Sequence, residues 1–227
     1  MTESAPMRLF PEEPSFGPWR VEPLTALAQQ LQQAAGSPVG RPPIVAIDGR
    51  SSSGKTTLAR RLQQVVPGSC VVHTDDIAWR QAVFDWAYLL TDGVLRPLRD
   101  GHPVAFRPPA WDRHGRAGAI DVPRDASLLI VEGIGAGRRE VAQLVDAIVW
   151  VQSDADQADQ RNAARVAAGE VDPVNFAGWM AEELPFLADQ RPWQRATIIV
   201  AGAPGLPHSP SEVLVADPSL PHPSTAT

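Results

Sequence analysis

Residues 49–56 read Gly-Arg-Ser-Ser-Ser-Gly-Lys-Thr, a G-x-x-x-x-G-K-T pattern. Small residues at this spacing let backbone N–H groups wrap around a phosphate, because no side chain stands in the way. The chemistry implied is anion capture by Gly49, Arg50, Ser51, Ser52, Ser53, Gly54, Lys55, Thr56 and Thr57. In this P-loop pattern Lys55 supplies a cation to the β and γ phosphates, and the Thr56 hydroxyl is placed for Mg²⁺. Two further acids follow apolar runs. Asp75 and Asp76 close "CVVHTDD", and Glu132 closes "SLLIVEG". A carboxylate after such a run can accept a proton from a substrate hydroxyl or hold Mg²⁺. Asp75 is read as the reacting acid and a candidate metal group. Asp76 is read as a helix cap or a supporting group. Glu132 is read as a Mg²⁺ ligand, the alternative being an exposed acid at a strand end.

These residues need a scaffold that brings strand ends together. "IVAID", "CVVH", "SLLIVEG", "AIVWVQSD" and "ATIIVAG" read as short buried strands. Helical patterns alternate with them over 55–66, 81–99, 138–145, 155–168 and 173–189. The stretch 100–125, rich in Pro and Gly, holds strand candidates near 103–106 and 119–122. Strands alternating with helices predict an α/β three-layer sandwich around a five-stranded parallel sheet. Ligands in such folds bind beyond the carboxyl ends of the strands. Asp48-Gly49, Asp75 and Glu132 are therefore expected at one site.

The expected organisation has three parts. Residues 1–40 form an extension with one amphipathic helix over 24–35. Residues 41–203 form the phosphate-binding domain. Residues 204–227 form a Pro/Ser-rich tail, read as mostly extended or disordered. The chain has 227 residues and a formal net charge of −6, which disfavours a nucleic-acid partner. No apolar run approaches the roughly 20 residues that a membrane span needs. One cysteine, Cys70, excludes an internal disulfide and fits a reducing, cytoplasmic setting. A homodimer is left open.

Taken in order and spacing, "GRSSSGKTT", "HTDDIAW", "FDWAYLL…LRPLRDGHPV", "PPAWD" and "LLIVEGI" resemble the uridine kinase/phosphoribulokinase-like family of P-loop kinases. Nicotinamide riboside kinases and pantothenate kinases are relatives. The resemblance covers about residues 43–202. It implies ATP-dependent, Mg²⁺-assisted phosphorylation of a small-molecule hydroxyl, often on a nucleoside or ribosyl group. It places Asp75 as the proton acceptor and Glu132 as the second strand-end acid. Asp85 matches an acid that holds sugar hydroxyls, or is a solvated helix start. Trp111 matches a stacking aromatic, or packs in the core. His114 and Arg116 fall two residues before a His/Arg pair of the family. The family's Arg-rich lid is represented by Arg161 and Arg165, four apart and so on one helix face. Further lid positions fall on Val166 and Ala168, and Arg191 either compensates or is a surface charge. A nucleotide-binding regulatory protein without transfer activity is the alternative. A GTP switch is disfavoured, because no Asn-Lys-x-Asp occurs.

Overall fold

Every residue of Ile44–Gly49 is buried, and so is every residue of Ala147–Gln152. Strands apolar on both faces must be covered on both faces, which is the signature of central parallel strands. A computed structural model describes residues 7–10, 12–170, 173–202, 207–219 and 221–222, with 173–175 and 221–222 described by backbone only. The strands are β1 (Ser15–Phe16), β2 (Arg20–Pro23), β3 (Ile44–Gly49), β4 (Cys70–His73), β5 (Val104–Phe106), β6 (Ile120–Val122), β7 (Leu129–Glu132), β8 (Ala147–Gln152), β9 (Ile198–Ala201), β10 (Glu212–Ala216) and β11 (Pro221–His222). The helices are α1 (Leu24–Ala35), α2 (Lys55–Val65), α3 (Thr74–Ala78), α4 (Ala87–Leu90), α5 (Arg96–Arg99), α6 (Pro109–Arg113), α7 (Arg139–Ala142), α8 (Ala155–Ala167) and α9 (Pro173–Gln190).

The main sheet runs β2-β10-β9-β8-β3-β7-β4. The five expected strands are there, all parallel, from β9 to β4. The sheet has seven strands, not five. Two antiparallel strands extend it, β10 beside β9 and β2 beside β10. Neither was expected: β2 is the four-residue "RVEP", and β10 is "EVLVA" in a segment punctuated by Pro and Ser. Apolar residues of α1 (Leu27, Leu31), α2 (Leu58, Leu62) and β10 (Val213, Val215) share one buried cluster on one face of the sheet. The second face is covered by the α3–α5 region and the β5–β6 hairpin, through Ile77, Leu90, Leu95 and Val122. Segments on both sides of residues 41–203 thus contribute to the same sheet and core.

The helix expected over 81–99 begins at Ala87 and carries a π-helical turn at Thr91–Leu95. Its start is delayed because Arg80 and Phe84 take left-handed conformations, with φ of 57° and 60°. The widened turn precedes Pro97, whose ring would clash with the carbonyl of Gly93 in a regular α-helix.

The N-terminal segment bonds to the carboxyl end of β8: the Arg8 N–H donates to Asp154 at 2.8 Å and the Phe16 N–H to the Gln152 side chain at 3.2 Å. Buried Glu13 accepts hydrogen bonds from the Trp150 indole at 2.7 Å and from Gln152 Nε2 at 3.0 Å. No helix among the described residues is long and apolar enough to cross a membrane.

Candidate active site

The register pairs Ile47 with Glu132 on one side of β7 and His73 with Glu132 on the other. β7 and β4 therefore finish level, β3 runs two residues further, and the loops that follow the three strands meet. Between β3 and α2, Ser52 is left-handed at φ 58° and Gly54 at φ 100°. Gly49 is required where it stands. A Cβ there would come within 2.7 Å of the Val151 carbonyl oxygen. The first turn of α2 carries no acid, so its N–H groups and dipole are left for an anion. Lys55 is buried and donates from Nζ to the Arg50 carbonyl at 2.7 Å, which holds it across the loop. Burial lowers the Lys55 pKa, opposed by Glu183, Glu132, Asp48 and Asp75 in that order.

Asp48 lies under this loop and is fully buried. Its carboxylate accepts N–H groups from Gly49 at 2.7 Å, Gly137 at 2.8 Å and Gly135 at 3.0 Å. It ties the phosphate loop to the loop after β7. Burial pushes its pKa up to about 6, against those three hydrogen bonds and the Lys55 charge.

The cleft above the loop has a volume of about 820 Å³. Ser51, Ser52, Gly54, Lys55, Thr56 and Thr57 line its floor. Asp75, Glu132, Arg161 and Arg165 line its walls, and Phe176, Trp179, Val213 and Leu214 add apolar surface. Thr56 donates its hydroxyl to both Glu132 oxygens, at 3.2 and 3.3 Å. Glu132 is buried and also meets His73 Nδ1 at 2.6 Å. That contact raises the His73 pKa. Asp75 sits on the first turn of α3 and reaches solvent through the cleft. Desolvation of its carboxylate by the surrounding site raises its pKa, opposed by the Lys55 charge and reinforced by Glu132. Arg161 donates to the Ser52 carbonyl at 2.8 Å, and neighbouring Asn162 accepts the Ser52 hydroxyl at 2.6 Å.

Several expected residues stand elsewhere. Arg50 belongs to the loop but turns away from the cleft. It is buried, with its guanidinium against the Phe10 ring and its Nε 3.7 Å from Glu183. Asp85 is exposed outside the cleft, because buried Phe84 and Trp86 on either side turn it outward. Arg191 pairs with Glu12 at 2.5 Å and adds no charge to the cleft walls. Arg165 lines the cleft but lies 3.5 Å from Glu170 on the surface.

Asp76 does not cap α3, whose first turn lacks a side-chain cap. Its carboxylate pairs with Arg116, and its carbonyl accepts the Trp111 indole N–H at 3.0 Å. Trp111 is buried. The Arg116 guanidinium covers its ring at 3.9 Å and lies 5.3 Å from the Trp79 ring. His114 meets Trp79 edge-on at 5.9 Å. Trp111, His114 and Arg116 thus form one group around Asp76 and Trp79, next to Asp75 but outside the lining of the cleft.

Asp48 was expected here from its strand end. His73, Asn162, Trp179 and Glu183 take part in this arrangement without having stood out in the sequence as site residues. The "HTDD" stretch carried a signal for His73. Nothing local marked the other three, which tertiary packing delivers.

Among the described residues, no group of three or more His, Cys, Asp or Glu side chains gathers into a site that could hold a metal unaided. The paired oxygen donors of Thr56 and Glu132 nevertheless fit Mg²⁺, which takes hard ligands and commonly shares its sphere with water and phosphate.

A mostly parallel sheet with the Gly49–Thr57 loop after central β3, Glu132 at the end of adjacent β7 and Asp75 just after β4 on the far side of β7 has the arrangement of a uridine kinase/phosphoribulokinase-like P-loop kinase fold. Solved structures agree. A possible uridine kinase from Bacillus stearothermophilus superposes with a TM-score of 0.56 at 21% identity, covering 78% of this chain and 96% of that one. A candidate fructose transport system kinase from Silicibacter sp. TM1040 superposes with a TM-score of 0.57 at 18% identity, covering 75% and 94%. No protein-family model and no curated protein matches the sequence.

Proposed function

We propose that the protein is an ATP-dependent kinase that transfers the γ-phosphoryl group to a hydroxyl of a small molecule. One observation carries this reading. Asp75, a carboxylate with a raised pKa, opens into the same cleft as the Gly49–Thr57 loop. An inert phosphate-binding loop has no need of such a group.

Backbone N–H groups of the loop, Lys55 and Arg161 hold the triphosphate. Thr56 and Glu132 would hold Mg²⁺, which would supply charge neutralisation to the phosphates. Asp75 orients the acceptor hydroxyl and takes its proton as that oxygen attacks the γ phosphorus. The bond to the β–γ bridging oxygen breaks and ADP leaves. Catalysis is mostly positioning and charge stabilisation. The acceptor approaches from the side of Trp79, His114 and Arg116. The likeness to a possible uridine kinase favours a nucleoside or other ribosyl-type acceptor. The single, partly buried cysteine fits a reducing cytoplasm.

One feature favours a nucleotide-binding regulator instead. Of the three arginines considered for the lid, only Arg161 bonds to the loop, while Arg165 and Arg191 have surface acids as partners. A screen of nucleosides, sugars and hydroxylated vitamins with γ-labelled ATP separates the two. Label on an acceptor, absent with Lys55→Ala, supports the kinase. Tight ATP binding with no labelled product across the screen supports the regulator.

A further inference from the structure

Glu183 is the most deeply buried acid that packs on the phosphate loop from outside its own segment, with 0% exposure. It lies one helical turn after Trp179 on α9, so both side chains share a face. The carboxylate accepts the Ser51 backbone N–H at 2.9 Å, the Ser51 hydroxyl at 2.6 Å and the Trp179 indole N–H at 3.0 Å. Buried Arg50 stands beside it, with Nε 3.7 Å away. A loop amide, a hydroxyl, an indole N–H and a guanidinium make an anion site, and the protein's own carboxylate fills it. Lys55 Nζ donates to the carbonyl of Arg50, the residue before Ser51, so the ammonium that would receive the β and γ phosphates and the Glu183 carboxylate bond to adjacent residues of the loop.

A γ phosphate at Lys55 would bring negative charge next to Glu183. Like charges repel more strongly where protein replaces water around one of them, as it does around buried Glu183. A diphosphate ends one group earlier and brings less charge to this spot. The helix also has a weak point there. Pro185, two residues beyond Glu183, lies inside α9 and removes one i→i−4 hydrogen bond.

We propose that Glu183 is an internal competitor for the γ phosphate: with Glu183 on Ser51 the loop accepts a nucleoside diphosphate, and a triphosphate must draw Glu183 and α9 away. The residue thereby sets the balance between di- and triphosphate binding. The proposal rests on the reading of Gly49–Thr57 as a phosphate loop. Movement of α9 would also disturb the packing around Phe84, because Phe186 stacks on its ring at 3.8 Å and Trp179 lies 5.0 Å from it.

The test is calorimetric binding of ADP and of a non-hydrolysable ATP analogue, each with Mg²⁺, to the wild type, Glu183→Gln and Ser51→Ala. Glu183→Gln keeps the shape and removes the charge. It should tighten the triphosphate about tenfold while ADP affinity changes far less. Ser51→Ala removes one bond to the carboxylate, and should shift the triphosphate in the same direction by less. Equal changes for both nucleotides, or a weakened triphosphate, would overturn the proposal and make Glu183 a brace for the loop. If Glu183→Gln fails to fold, Ser51→Ala decides by the same signs. If all three proteins bind neither nucleotide, the phosphate-loop reading falls and takes the competitor with it. If only the variants bind, the loop reading and the competitor both stand.

Discussion

Thr56 and Glu132 face each other across the floor of the cleft, the hydroxyl of one 3.2 and 3.3 Å from the two carboxylate oxygens of the other. They come from different elements, the first turn of α2 and the end of β7, which the parallel pairing of β3 and β7 holds side by side. A hydroxyl that now donates to a carboxylate is positioned to offer its lone pairs, with that carboxylate, to a hard cation. Thr56→Val and Glu132→Gln should therefore weaken nucleotide binding in Mg²⁺ more than binding in EDTA. Calorimetry under both conditions checks this. Equal losses would remove the metal role from both residues.

Asp75→Asn keeps the shape of the side chain but cannot take a proton. The turnover number with an acceptor from the screen should fall about 10²–10⁴-fold. ATP affinity should hold, because other residues grip the phosphates. If Asp75 acted only through its position in the first turn of α3, the amide would serve nearly as well and turnover would survive. Steady-state kinetics with a parallel binding measurement distinguishes these outcomes.

Asp48 makes stability depend on pH. Its folded pKa is raised from 3.8 to about 6. Between those values the native state holds a proton that the unfolded chain has released, so stability falls as pH rises from 4 to 6. The contribution is at most about 3 kcal/mol, at 1.36 kcal/mol per pKa unit. Urea unfolding at pH 4, 5, 6 and 7 should show this fall, superposed on the titration of other groups. Asp48→Asn should flatten the slope across that window while lowering stability throughout, because the amide cannot accept all three N–H groups. A variant with an unchanged slope would refute the assignment.

Leu27 is fully buried on α1, in the same cluster as Leu62 of α2 and Val213 of β10. Leu27→Ala should cost about 2–5 kcal/mol. A cooperative shift of the whole unfolding transition would show that α1 is part of the kinase-like core. A separate early transition, leaving nucleotide binding intact, would make residues 7–35 an independent unit.

The shape of the Gly49–Thr57 loop was legible because it is written in backbone requirements. Gly49 must approach Val151, Gly54 must turn left-handed, and Lys55 must begin a helix, all within a few residues of chain. The five parallel strands were legible for a similar reason, since strands buried on both faces read as short apolar runs. What escaped was delivered from a distance. Glu183 reaches Ser51 from α9, Asn162 reaches Ser52 from α8, and neither stretch differs locally from a solvated helix face. Asp76 looked like a helix cap and became the partner of Arg116, because the β5–β6 region folds back over α3. Asp85 looked like a site acid, but the left-handed turn at Phe84 put two aromatic neighbours inside and left it outside. The strand β10 was hidden by its surroundings, since Pro210 and Pro218 flank an apolar run too short to announce itself.

The pairing of β2 with β10 also bears on how the protein is made. Residues 20–23 leave the ribosome early, and their strand partner, residues 212–216, emerges long after. Until then β2 has no ladder to join, and β9, once formed, presents an open edge. Val213 and Leu214 of β10 also form part of the cleft wall. The pocket is therefore finished only after synthesis has passed residue 216, so a stalled or shortened product would carry the phosphate loop without the wall beside it.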